Sequence, residues 1–260
     1  MKNKLIFLKR QVLLAWILNL MILRFWNRSL RIISDSIFHF YKIKLAALKS
    51  KIPTISADSL ITASEPVMLY QAQEGDGGIS IKELWTMLMI TVTNKPVSIF
   101  EFGTFEGRTT INLSINCPKE TTIYTIDLPR EKISETRYKL LDIEKHYADK
   151  PASGTKICEV KTGGKIVQLY GDSAVFDFKP YENTIDLVFI DGSHSYKYVI
   201  NDSLKAYIML RTNGIIIWHD HATGLWNEVD SAIDHLFMND ERFTGIRHIQ
   251  DTSFAILRKQ

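Results

Sequence analysis

Short apolar runs alternate with segments of helical periodicity along most of the chain. Each run has the length and composition of a strand, and each of the first four is followed by a segment that could form a helix. Strands separated by helices indicate βαβ units, so a parallel sheet with helices on both faces is expected. The five predicted strands cover residues 97–102, 122–127, 166–170, 185–190 and 214–218.

The two ends of the chain depart from this alternation. A helix is predicted over 79–92, ahead of the first strand, and the tail from Gly245 to Lys259 has two short β-like runs with no helix between them. The sheet should therefore close with an antiparallel pair. The predicted fold is α/β: a doubly wound, mostly parallel Rossmann-like sheet with an antiparallel C-terminal strand pair and an N-terminal helical extension.

The N-terminal extension differs in charge from the rest of the chain. Residues 1–51 contain eleven Lys or Arg and a single acid, Asp35, which gives a net charge of +10. The remaining residues carry 21 basic and 28 acidic side chains, a net charge of −7. Residues 52–66 contain Pro and Ser without sustained periodicity and mark a boundary. We therefore expect a basic amphipathic arm and linker over 1–60 and a catalytic domain over 61–260.

Three roles are open for this arm: contact with a membrane interface, packing on protein, and a true membrane anchor. With Trp16 and Trp26 among its basic residues, the helix predicted over 1–50 is typical of helices that lie in a membrane interface. Its apolar face could instead pack on the catalytic domain or on a second subunit, as in a homo-oligomer. Its longest apolar stretch, about a dozen residues, is shorter than the ~20 that span a bilayer. We expect a cytoplasmic protein, peripheral membrane contact being one option, and no nucleic-acid partner.

A glycine-containing loop follows the first predicted strand. In Glu101-Phe-Gly-Thr-Phe-Glu-Gly107, Gly103 allows a sharp turn and Gly107 removes the Cβ where a ligand would approach the next helix. The three-glycine loop that binds pyrophosphate is absent, which argues against a nicotinamide-dependent oxidoreductase. A carboxylate at Glu101 suits a ligand with a cationic amino group. Alternatively, Glu101 is a solvated strand-end residue and the glycines only form a turn.

Acids and histidines follow the next four predicted strands. Asp127 is placed to accept hydrogen bonds from ribose hydroxyls, and Asp172 begins the loop after the third strand. His194 is a candidate general base, because imidazole titrates near neutral pH; it could also be a turn residue bonded to backbone. Asp191, His219 and Asp220 could hold a divalent cation. Alternatively, residues 219–221 simply cap a strand.

These residues together resemble the class I methyltransferases of the macrocin O-methyltransferase and cephalosporin hydroxylase-like group. The resemblance covers about residues 70–240 and is most specific in Asp191-Gly-Ser-His194-Ser-Tyr. It implies S-adenosylmethionine as the methyl donor, with its methionine part near Glu101, its ribose on Asp127 and its adenine near Asp172. The cofactor-binding residues expected are Glu101, Gly103, Thr104, Gly107, Asp127, Asp172, Ser173 and Asp191.

The resemblance also implies a divalent metal held by Asp191 and by two successive acids after the next strand, where this chain has His219 and Asp220. The metal that the resemblance implies beside the cofactor is Mg²⁺ or Mn²⁺, whereas a histidine at position 219 favours Zn²⁺, Mn²⁺ or Fe over Mg²⁺. The catalytic base of the family falls on His194. The expected activity is O-methylation of a small-molecule acceptor such as a sugar or natural product. A ligand-binding protein without turnover and a hydroxylase-like relative are the alternatives.

Overall fold

A computed structural model describes residues 50–72, 78–159 and 163–260 of the chain. The strands in these ranges are β1 (Thr54–Ile55), β2 (Ser98–Phe102), β3 (Thr122–Asp127), β4 (Lys165–Tyr170), β5 (Ile185–Ile190), β6 (Leu210–Trp218), β7 (Arg247–Ile249) and β8 (Ala255–Arg258). The helices are α1 (Ile81–Asn94), α2 (Arg108–Ile115), α3 (Lys145–Ala148), α4 (Tyr196–Met209) and α5 (Asn227–Asn239). Short 3₁₀ turns lie at 57–59, 130–135, 157–159, 179–181 and 241–243.

The strands form one sheet in the order β1-β7-β8-β6-β5-β2-β3-β4. Strand β8 runs antiparallel to both of its neighbours, and every other pair is parallel. The predicted fold class is therefore confirmed, including the antiparallel C-terminal pair. The order reverses between β2 and β5, which are adjacent in the sheet, and such a reversal opens a crevice at the carboxyl ends of the strands.

Strand β1 was not foreseen from the sequence. It pairs with β7, with Thr54 opposite His248, and it lies inside the segment that was assigned to the linker. Two residues are too few for a period of two to appear in the sequence. The sheet therefore begins ahead of the boundary predicted at residue 61.

Side chains of successive strand residues pack on opposite faces of the sheet, where they build two apolar cores. Ile99 of β2 packs with α1, whereas Phe100 and Phe102 pack with α4 and α5. Helix α1 begins at a capping box, in which the side chains of Ser80 and Glu83 bond each other's backbone N–H groups. The helix predicted over 79–92 is thus observed two residues further along.

Helices do not follow every strand as the alternation predicted. Between β3 and β4 the chain forms 3₁₀ turns and the four-residue α3, and between β4 and β5 it forms a single 3₁₀ turn. Pro129 and Pro151 interrupt the first of these connections, since proline disfavours a continuous helix. This irregular segment runs past the carboxyl ends of the strands and contributes several side chains to the site described below.

The arm predicted over 1–50 lies outside the described residues, apart from Ser50. No helix in the described ranges combines the length and apolar character needed to cross a membrane. The role of the arm, the oligomeric state and the cytoplasmic location stay predictions from the sequence.

Candidate active site

A cavity of about 390 Å³ lies at the carboxyl ends of strands β2 to β6. The end of each strand contributes to the cavity wall: Asp127 is the last residue of β3, and the loops after β2, β4, β5 and β6 contribute Gly103, Asp172, Asp191 and Asp220. The cavity spans the place where the strand order reverses, which is the usual ligand site of an open α/β sheet. Eight of the residues expected from the sequence line it: Gly103, Asp127, Asp172, Ser173, Asp191, His194, His219 and Asp220.

Three expected residues, Glu101, Thr104 and Gly107, are not part of the cavity wall. Glu101 is fully buried on the opposite face of β2 from Phe102, so it is not a solvated strand-end residue. Its Oε2 accepts hydrogen bonds from the hydroxyls of Thr110 and Thr125 at 2.5 and 2.6 Å. Burial raises the pKa of the Glu101 carboxyl to about 8, against the opposing effect of those two hydrogen bonds. Glu101 is therefore mostly protonated at neutral pH.

The buried carboxyl of Glu101 predicts a dependence of stability on pH. Its pKa rises on folding from the ordinary 4.5 to about 8, so this contribution to stability is complete below pH 4.5 and is lost as the pH rises through 8. Between pH 5 and 9 the wild type should lose on the order of 4 kcal/mol of stability through this group, at about 1.4 kcal/mol per pKa unit, and Glu101→Gln, which mimics the protonated form, should not show that loss. Urea unfolding of both proteins at the two pH values measures it, and parallel losses would contradict it.

The two glycines of the first loop are required by the protein itself. Both have φ of +92°, in the left-handed region that favours glycine. A Cβ at Gly103 would lie 2.1 Å from the carbonyl oxygen of Asp191, and one at Gly107 would lie 2.6 Å from the side chain of Ile157. The close approach at Gly103 is thus to the loop after β5, whereas the sequence predicted only a turn at Gly103 and a ligand near Gly107.

Asp127 combines a backbone contact with an ion pair. Its Oδ2 accepts a hydrogen bond from the backbone N–H of Phe105 at 2.6 Å, and its Oδ1 accepts one from Lys150 Nζ at 2.9 Å. Lys150 and Asp127 are both largely buried. Lys150 belongs to the irregular connection between β3 and β4, where no periodicity or motif drew attention to it.

Asp172 is committed to local structure. Its carboxylate accepts hydrogen bonds from the backbone N–H groups of Arg137 and Ala174 and from the hydroxyl of Tyr198, at 2.7, 2.9 and 2.8 Å. Beside it in the cavity wall is a second buried acid, Asp202 of α4. Burial raises the pKa of Asp202 to about 7. Sequence reasoning missed Asp202, because an acid inside a helix is most often a solvated residue.

His194 is held on three sides. Its Nδ1 lies 3.0 Å from Glu144 Oε2, its Nε2 lies 2.8 Å from Asp220 Oδ2, and its ring stacks on Trp226 with the centroids 3.9 Å apart. Burial alone would lower the pKa of His194, but hydrogen bonds to Asp220 and Glu144 raise it to about 9. The imidazole therefore carries a proton at neutral pH in this state. Its contacts to two acids exclude the reading of His194 as a simple turn residue.

Asp191, His219 and Asp220 converge as the sequence predicted, and one donor atom of each lies within 4.8 Å of the others. His219 Nδ1 lies 2.9 Å from Asp191 Oδ1 and 3.2 Å from Asp220 Oδ2. Its other ring nitrogen lies 3.7 Å from Glu83 Oε2 of α1. Burial would lower the pKa of His219, but the nearby Asp220 and Asp191 raise it well above its ordinary value. The charged imidazole thus partly neutralises the acids around it.

Comparisons with known proteins agree with this architecture. Residues 100–221 match the model of a family described as a methyltransferase domain, and this segment contains the end of β2, all of β3 to β6 and every site residue expected from the sequence. No curated protein matches the chain. The family match over residues 100–221 and the fold support the prediction of a class I methyltransferase, a class that depends on S-adenosylmethionine. The narrower macrocin O-methyltransferase and cephalosporin hydroxylase-like subgroup stays a prediction.

Several solved structures resemble the chain at low sequence identity. The S-adenosylhomocysteine-bound methyltransferase PaMTH1 of Podospora anserina is 20% identical over 71% of this chain and 81% of its own, with a TM-score of 0.46. The O-methyltransferase TomG of Streptomyces achromogenes, solved with S-adenosylmethionine, is 13% identical over 85% and 96%, with a TM-score of 0.49. An O-methyltransferase of Bacillus cereus, in complex with S-adenosylhomocysteine, is 12% identical over 72% and 84%, with a TM-score of 0.45.

Proposed function

We propose that the protein transfers a methyl group from S-adenosylmethionine to a hydroxyl oxygen of a small-molecule acceptor that binds beside His194. One observation carries the proposal: a single cavity places the acids after β3 and β4 in the same space as His194 and the carboxylates after β5 and β6. In the sheet, β3 and β4 lie on one side of β2, and β5 and β6 lie on the other. Donor and acceptor would therefore meet above β2.

The residues on the β3 and β4 side fit the nucleoside part of the donor. Asp127 is a buried carboxylate at the cavity wall, able to accept hydrogen bonds from two ribose hydroxyls. Ser173 and Asp202 lie in the wall near Asp172 and would face the adenine. When bound, S-adenosylmethionine supplies a sulfonium methyl group that needs no further activation. The chain's task is to align the acceptor oxygen with that methyl group.

His194 would take the proton that the acceptor hydroxyl loses. Nε2 is the ring nitrogen that faces Asp220, while Nδ1 is turned to Glu144. A base must be neutral, whereas the hydrogen bonds to Asp220 and Glu144 raise the pKa of His194 to about 9. The imidazole must therefore release its proton before it can accept one from the acceptor.

Asp191, His219 and Asp220 would hold a divalent cation if one is used. Two carboxylates and an imidazole form a donor set that suits Mn²⁺, Fe²⁺ or Zn²⁺ better than Mg²⁺. Glu83, near the second nitrogen of His219, is placed as the outer carboxylate that commonly orients a metal-binding histidine. A cation there would lower the pKa of an acceptor hydroxyl that binds to it.

Calorimetric titration with S-adenosylmethionine tests the donor site. Asp127→Asn should raise the dissociation constant about 10- to 100-fold, because a hydrogen bond to a charged group contributes about 1.5–3 kcal/mol. Asp177→Asn is the matched control: Asp177 is exposed and outside the cavity wall, so it should bind as the wild type does. A wild-type chain that binds no S-adenosylmethionine would refute the proposed function.

Titration with MnCl₂ alone, comparing the wild type with Asp220→Asn, tests the cation site.

A further inference from the structure

Glu144 is a buried acid whose carboxylate lies against the candidate base. It belongs to the irregular connection between β3 and β4, directly before α3, and only 5% of its side chain is exposed. Its Oε2 accepts a hydrogen bond from the backbone N–H of His194 at 2.7 Å and lies 3.0 Å from the Nδ1 of the same residue. A single oxygen atom, Oε2 of Glu144, thus contacts both the backbone N–H and the ring Nδ1 of His194.

The second oxygen of Glu144 fixes the carboxylate independently of His194. Oε1 accepts hydrogen bonds from the backbone N–H of Leu141 at 2.9 Å and from the hydroxyl of Ser193 at 2.7 Å. Burial would raise the pKa of Glu144, but the hydrogen bonds from His194, Ser193 and Leu141 lower it. An ionised carboxylate only accepts hydrogen bonds, so the Nδ1 that it contacts must carry a hydrogen.

This arrangement makes Nε2 the ring nitrogen of His194 that can serve an acceptor, which would replace the contact between Nε2 and Asp220 Oδ2. With Nδ1–H bound to Glu144 and one face of the ring against Trp226, rotation of the imidazole would break a hydrogen bond to a charged acceptor and a ring contact together. Nε2 is then turned toward the Asp220 side of the cavity. In catalytic triads a buried acid performs the same task by holding the histidine in one tautomer and orientation.

We propose that Glu144 is a positioning residue that fixes His194 with Nδ1–H bound and Nε2 toward the acceptor. The proposal rests on the base role assigned to His194 under the proposed function, and it adds a carboxylate–histidine pair contributed by a segment outside the sheet. Glu144 is part of the cavity wall, and this role does not require it to contact donor or acceptor. It acts through the orientation of the imidazole.

One test observes the contact directly and does not depend on activity. In chains with ¹⁵N-labelled histidine at pH 7, the wild type should show a slowly exchanging Nδ1–H signal that is assigned by its absence in His194→Ala. Glu144→Gln should shift this signal or lose it by exchange with water. Glu135→Gln, an exposed acid of the same connection, is the matched control and should leave it unchanged. An unaltered His194 signal in Glu144→Gln would overturn the proposal.

A second test asks whether Glu144 acts through His194. With the best acceptor from a panel of vicinal diols, Glu144→Gln should lower kcat by about 10- to 100-fold, with the dissociation constant for S-adenosylmethionine unchanged. In the His194→Ala background the same substitution should have no further effect on kcat, because residues that act as a unit are not additive. An undiminished additional loss in that background would indicate a merely structural role and overturn the proposal. Full activity of His194→Ala alone would refute the base role, while the ¹⁵N signal still decides whether Glu144 orients the ring.

Discussion

His194→Ala is expected to lower kcat for methyl transfer by about 10²- to 10⁴-fold, the usual contribution of a positioned general base. The dissociation constant for S-adenosylmethionine should stay within about threefold of the wild type, because the donor is assigned to the β3 and β4 side of the cavity. Formation of S-adenosylhomocysteine in single turnovers, with donor saturating, separates the chemical step from binding.

The matched control for this prediction is His235→Ala. His235 is an exposed histidine of α5, outside the cavity wall, and surface substitutions of this kind usually change stability by no more than about 0.5 kcal/mol. It should transfer methyl groups at the wild-type rate. If His194→Ala turns over as fast as His235→Ala, the imidazole has no part in the reaction and another group must accept the proton.

The fold could be predicted from the sequence because its main signals are local. Each of the five predicted strands overlaps an observed one, since a buried parallel strand needs several consecutive apolar residues that stand out in the sequence. The irregular connection between β3 and β4, where the sequence predicted a helix, could not be predicted in the same way. Pro129, Pro151 and the packing of side chains toward the cavity shape that connection, and these contacts join parts of the chain that are distant in sequence.

The candidate site was predictable to the extent that strand ends position it. Asp191 and His194 are three residues apart after one strand, and topology alone brings them close to Asp220 after the next. Glu144 and Lys150 belong to a connection without periodicity, and Glu83 lies in the first turn of a helix, where acids are common as caps. Only the tertiary structure shows that these three contact His194, Asp127 and His219.

Gly103→Ala is expected to destabilise the fold by about 3 kcal/mol or more, which combines the cost of a left-handed residue with a steric clash. A Cβ at this position would lie 2.1 Å from the carbonyl oxygen of Asp191 and 2.7 Å from its carbonyl carbon, and φ is +92°. The contacted atoms are backbone, so the loop after β5 would have to move away from β2. That movement would displace Asp191 and the loop that carries His194, and donor binding should weaken together with stability.

Gly192→Ala is the control that separates this mechanism from a general need for glycine. Gly192 stands in the motif that is most specific in the sequence, yet a Cβ there would meet its nearest atom, Asp202 Oδ2, at an ordinary 3.6 Å, and its φ is outside the left-handed region. A replacement of glycine at a compatible position often stabilises by about 0.4–1 kcal/mol. Urea unfolding should therefore place Gly192→Ala within about 1 kcal/mol of the wild type. Equal losses in the two variants would show that the contact between Gly103 and Asp191 is not what requires the glycine.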